Sequence, residues 1–138
     1  LRTLIFVFAA LFSVAAVAET VAEKLTIVSL DKDVEASSPE VKRTQVALTR
    51  AMTVCNVESE AKLADIVWFI TKKIRSEGHY AEATDLIEGV NAVLLGTKEK
   101  QDCTELLSLY AVNRIQGSTH SDAVAGGRGL YRGMGLVK

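Results

Sequence analysis

The chain has 138 residues, with sixteen Lys and Arg against seventeen Asp and Glu, for a formal net charge of −1. That length suits one domain, and the balanced charge excludes the basic stripe that nucleic-acid binding requires. One proline and two cysteines exclude a proline-rich linker and a disulfide-dense miniature scaffold.

Residues 1–18 read LRTLIFVFAALFSVAAVA. Arg2 precedes an apolar run from Leu4 to Phe12, and small residues lead to Ala16-Val17-Ala18 just before Glu19. A charged start, an apolar middle and a small-residue end make a secretory signal peptide, with cleavage expected after Ala18. The run is shorter than the ~20 residues of a membrane-spanning helix, and no longer apolar run follows. The expected product is periplasmic or secreted, without stable membrane insertion.

Residues 19–36 form an N-terminal arm in which Val21, Leu25, Ile27, Val28 and Leu30 suit a short helix or a packed extended segment. Asp31-Lys32-Asp33 opens like a calcium loop. Such a loop needs Gly at its sixth position and Glu at its twelfth, which here are Ala36 and Lys42, so an exposed acidic turn is expected.

Residues 37–116 read as four helices. Ser38 and Pro39 open the first, a capping hydroxyl followed by the imino acid that tolerates the first helical position. Val41, Leu48, Met52 and Cys55 mark its inner face, and Asn56 closes it. The second runs from about Ser59 to Glu77. Leu63, Ile66, Val67, Ile70 and Ile74 recur at helical spacing and Trp68 widens the stripe, so this helix is expected to be the most buried. Lys72, Lys73 and Arg75 favour the negative end of its dipole, and Gly78 stops it. The third is expected to begin at His79, with a seam of Tyr80, Ala83, Ile87, Val90 and Leu94. Thr97 is the expected cap of the fourth, where Cys103, Leu106, Leu107, Tyr110 and Arg114 share a side and Gly117 ends the helix. Short connections make neighbouring helices antiparallel. The expectation is an all-α antiparallel four-helix bundle.

Cys55 and Cys103 in an exported chain read as one disulfide. Up-down-up-down packing sets the end of the first helix and the start of the fourth at one pole, as neighbours, so the bridge is geometrically allowed. The spacing is not that of a metal site.

Residues 117–138 hold six of the nine glycines and read as a flexible tail, because glycine raises the entropy cost of order. Arg128, Arg132 and Lys138 make this tail weakly basic. Gly129 and Gly133 fit a membrane-dimer spacing, but no apolar segment surrounds them.

The residues that carry chemistry are few. His79 with Glu82 three residues on, and Asp85 beyond, is the best candidate for a metal or catalytic site, but it lacks the repeated ligand pattern of helical metal centres. His120-Ser121-Asp122 has the residue types of a hydrolase triad, yet adjacent residues cannot set the base between nucleophile and acid. No nucleophile elbow, phosphate loop or zinc-protease motif occurs. Catalytic residues, metals and cofactors are therefore not expected.

Gly78-His79-Tyr80-Ala81-Glu82-Ala83, with Ile87 and Val90 following, resembles the second half of a tetratricopeptide repeat over residues 65–90. In that family a turn glycine, an aromatic and an alanine let two helices pack closely. Here Trp68 stands one place late, Thr71 replaces the expected glycine, and there is no second copy. The resemblance implies a tight helical hairpin.

The sequence thus predicts a protein that works by binding another protein, as a monomer or homodimer, through a groove beside Trp68, Phe69 and Tyr80. An envelope-stress or chaperone-like role is one alternative. An enzyme or metal-binding protein with a site near His79 and Glu82 is the other.

Overall fold

The computed structural model describes residues 18–138; of the expected signal peptide, residues 1–17 lie outside the described residues. Within the described residues the chain is all-helical, with six helices: α1 (Val21–Leu30), α2 (Pro39–Val54), α3 (Glu60–Ser76), α4 (Ala83–Val93), α5 (Cys103–Ile115) and α6 (His120–Gly133).

Local chemistry accounts for most of the boundaries. Thr20 and Glu23 form a reciprocal capping box at the start of α1, satisfying two backbone donors that helix geometry leaves free. Ser38 accepts from the Val41 N–H with Pro39 next in line, and Ser59 accepts from the Lys62 N–H. At α5 the Asp102 carboxylate accepts from both Thr104 and Glu105 N–H groups, at 2.9 and 3.1 Å. That pair of bonds corrects the expected start at Thr97, whose hydroxyl instead donates to the Glu99 carbonyl and orders the preceding loop. The third predicted helix likewise starts at Ala83 rather than His79. Gly78, at φ 84°, turns the chain out of α3.

The arrangement follows from α4. Eight of its eleven residues are buried, and it packs against each of the five other helices. Only the edge made by Asp85, Glu88 and Ala92 is left unburied, so α4 rather than α3 is the most buried. The expected ring of four is replaced by five helices around one. In particular α2 and α5 share no packing face, although the expected disulfide joins their ends. Cys55 follows α2 and Cys103 opens α5; both residues are buried, with Cα atoms 5.4 Å apart. Two backbone hydrogen bonds flank the bridge, Asn56 N–H to Gln101 O and Gln101 N–H to Val54 O, each 2.8 Å.

Of the two terminal segments, the first takes the helical one of its two expected forms and the second differs from expectation. Residues 19–36 contain α1, whose Ala22 and Leu25 enter the core. Residues 117–138, expected as a flexible tail, contain α6. Three tertiary contacts offset its glycine content. A Cβ on Gly127 would come within 3.1 Å of Val93 Cγ2, and one on Gly89 within 3.1 Å of Val124 Cγ2; both glycines let α4 and α6 approach closely. Arg128 donates to the carbonyls of Ala92, Val93 and Leu95 at 3.0–3.1 Å, satisfying acceptors that the end of α4 leaves free. Ala123, Tyr131 and Val137 are buried against the rest of the core.

The glycines of α6 should therefore answer substitution with opposite signs. A Cβ on Gly129 would meet nothing within 4 Å, so Gly129→Ala should stabilise by up to ~1 kcal/mol. Gly127→Leu should overpack the α4–α6 crossing and destabilise by ~1–3 kcal/mol, with urea denaturation reading both. Reducing the Cys55–Cys103 bridge, 48 residues apart, should cost about 4 kcal/mol in the chain-entropy picture, read as a lower melting temperature under reductant.

Candidate functional site

An apolar concavity lies between α1 and α3. It encloses about 250 Å³, with Val21, Leu25 and Val28 on one wall and Ala61, Ala64 and Trp68 on the other. Lys24 and Asp65 stand among these walls as the charged groups of the groove. Trp68 is half-buried. The Lys72 ammonium and the Arg75 guanidinium each lie 5.6 Å from a Trp68 ring centroid, where a cation is attracted to the face of the ring. Arg75 is itself tethered, donating to the carbonyls of Ser29 at 2.7 Å and Ala81 at 2.8 Å. The indole is thus braced by a side chain that ties α3 to the end of α1.

Of the three aromatics expected to form a groove, only Trp68 lines this one. Phe69 and Tyr80 are 66% and 69% exposed and lie outside its lining. Tyr80 donates its hydroxyl to Glu82, and that carboxylate pushes the phenol above its ordinary value. The α1 wall was not legible as part of a site, because the apolar spacing of residues 19–36 fits strand and helix alike. The signal available was the Thr20-x-x-Glu23 capping pattern.

The structure does not assemble His79, Glu82 and Asp85 into a common site. Glu82 is engaged by Tyr80, whereas Asp85 accepts from Arg43 at 2.8 Å and Glu88 accepts from the same guanidinium. Among the described residues there is no group of three or more His, Cys, Asp or Glu placed to hold a metal.

Two polar clusters sit within the fold. The Thr44 hydroxyl lies 2.8 Å from that of Thr26 and 2.8 Å from that of Thr84, joining α1, α2 and α4. The carbonyls of Ala22 and Glu40 also lie within reach of the single hydrogens of Thr26 and Thr44, so each of these two buried hydroxyls has a partner. On α5, Arg114 is buried and donates to the Tyr80 carbonyl and, at 2.9 Å, to the Tyr110 hydroxyl. The same hydroxyl lies 2.7 Å from His120 Nδ1 on α6. Arg114 serves here as a tie between α5, the 77–82 loop and α6.

A second groove, of about 380 Å³, runs between α2 and α4. Val46 and Leu95 border it, 60% and 64% exposed, and Arg50, Glu88 and Asn91 contribute its polar groups. Asn91 is buried, and its Nδ2 donates to the Ala47 carbonyl at 3.0 Å while its Oδ1 has no partner. An unpaired buried acceptor of this kind costs ~1–3 kcal/mol.

Comparison of the chain with protein-family models, with curated proteins and with solved structures gives no match in any of the three. Function has to be read from the geometry.

Burial is the main cause holding the Tyr110 and Tyr131 phenols above their ordinary value of 10. The folded state then favours the neutral phenol. Its contribution is fully present below pH 10 and is lost as pH rises through the raised folded value. Phenolate absorbance should show all three tyrosines ionising above the free-tyrosine range while the protein stays folded. Tyr110→Phe should weaken the alkaline loss of stability. At neutral pH it should cost ~1–3 kcal/mol, because a donor of buried Arg114 loses its acceptor.

Proposed function

We propose that this chain is a small exported helical protein, periplasmic or secreted, that acts by binding another protein through the α1/α3 groove rather than by catalysis. The observation that carries this reading is the open apolar groove with a braced tryptophan in its wall. Aromatic anchors set in pockets supply a large share of interface energy, and a groove between two helices accepts the apolar face of a third helix. Lys24 and Asp65 are placed to orient such a segment.

Export draws its support from the N-terminal sequence and from the disulfide, since such bridges persist in oxidising compartments. Among the described residues no helix is long and apolar enough to cross a membrane.

The test is capture from native envelope extract by wild type and variants. Val28 is 41% exposed, so Val28→Asp should leave the melting temperature nearly unchanged and abolish capture. Trp68→Ala should weaken capture at least tenfold, about 1.4 kcal/mol, whereas Phe69→Ala should retain it. Trp68 is the single tryptophan of the chain, so its emission should shift when the captured protein is added back. A Trp68→Ala variant that melts early yet captures normally would mean that this side chain serves only the fold.

A further inference from the structure

We infer that α6 is a strap: it leaves the core as one unit about Gly117 while the other five helices stay folded, and so uncovers the apolar seam between α4 and α5. The first observation is how little α6 buries. Only Ala123, Gly127 and Tyr131 of its fourteen residues are buried, and one of these has no side chain. Apolar burial sets the strength of docking, and it is far smaller here than along α4, where eight of eleven residues are buried. The second is the backbone. A Cβ added to Gly126, Gly129 or Gly133 would meet nothing nearer than 4.0 Å. Unlike Gly127, these glycines serve no crossing, and each weakens the helix relative to alanine. A helix of this length and glycine content does not persist alone in water.

The third observation is the place of α6 in the chain. It follows both Cys55 and Cys103, so it leaves without disturbing the covalent ring, and Gly117, at φ 101°, supplies the joint before it. The fourth is that the rest is tied together without it. Thr84 holds α4 to α2 through the Thr44 hydroxyl, 2.8 Å away, and Asn91 does so through the Ala47 carbonyl. The disulfide holds α5 to the end of α2, and α5 also packs on α3. The strap is fastened by the Tyr110 hydroxyl at His120 and by Arg128 at the carbonyls of Ala92, Val93 and Leu95. Beneath it, Val90, Val93, Leu106 and Leu109 line a crevice that Ala123 and Gly127 roof over. These are the aliphatic side chains that opening presents. The α1/α3 groove has no residue of α6 in its lining, so the two readings stand or fall separately.

Native-state hydrogen exchange on the whole chain is the test. The α6 amides from Val124 to Tyr131 should share one opening, with one dependence on denaturant, and exchange at least about a hundredfold faster than core amides of α3. Arg128→Ala should speed the α6 amides at least about tenfold. Ile74→Val trims a buried side chain of α3, a helix that shares no packing face with α6. It should speed the α3 amides about two- to tenfold and leave those of α6 unchanged. Val93 lies directly under Gly127, so the thiol of Val93→Cys should react with a thiol reagent at the frequency of the α6 opening. The proposal is overturned by α6 amides that exchange no faster than those of α3, that follow α3 in Ile74→Val, or that open one by one from the C-terminal end. A Val93→Cys thiol that reacts only at the slower frequency of α3 would overturn it too, since the seam would then stay covered.

Discussion

The enclosure of α4 is the constraint on which the rest of the fold depends. An eleven-residue helix is too short to be stable alone in water, and eight residues of this one are buried. Burial of aliphatic side chains such as Leu86, Ile87 and Val90 contributes roughly 1.5–3 kcal/mol each, but only if neighbouring helices cover them. Five helices do so. Two of them, α1 and α6, come from segments whose sequence alone does not specify a helix, and their order comes from docking. Both candidate grooves are by-products of this enclosure: α1 meets α3, and α2 meets α4, along seams that the outer layer leaves open.

Polar groups give the enclosure its registration. The threonine hydroxyls of α1, α2 and α4 meet at one point, and sliding any of these helices by a turn would part them. Arg114 and Tyr110 do the same for α5 and α6 at the other side of the core. Arg128 adds a third tie by gathering the free carbonyls at the end of α4. Each tie joins separate helices, so each is a tertiary determinant of helix position.

How much of this was legible in the sequence varied by element. α2 and α3 were readable almost to the residue, because cap, period and stop agree: Ser38-Pro39 at one start, and the Leu63 to Ile74 stripe ending at Gly78. The start of α5 was misplaced at Thr97, a residue type that caps well, because only the loop's own hydrogen bonds show that Asp102 takes that part. The central place of α4 was hidden because Thr84, Gly89 and Asn91 look like an outward face until partners on α2 and α6 are known. α6 was hidden for a related reason: glycine at 127 is a packing device, which composition alone reads as looseness. Of the candidate site, Trp68 was visible and its opposing wall was not. Phe69 and Tyr80 were grouped with it by residue type, whereas the helix turns Phe69 out of the groove and the loop commits Tyr80 to Glu82. The unpaired Asn91 acceptor depends on a hydrogen bond across 44 positions and has no sequence signature.

The Cys55–Cys103 bond closes a covalent ring that contains α3 and all of α4, while α1, α2, α5 and α6 lie outside it. A load applied at the two ends of the chain passes from Cys55 to Cys103 directly through sulfur and bypasses the centre. Pulling can peel away the outer helices, yet the ring caps how far the molecule lengthens. A single backbone cut between α3 and α4 would likewise leave both fragments joined.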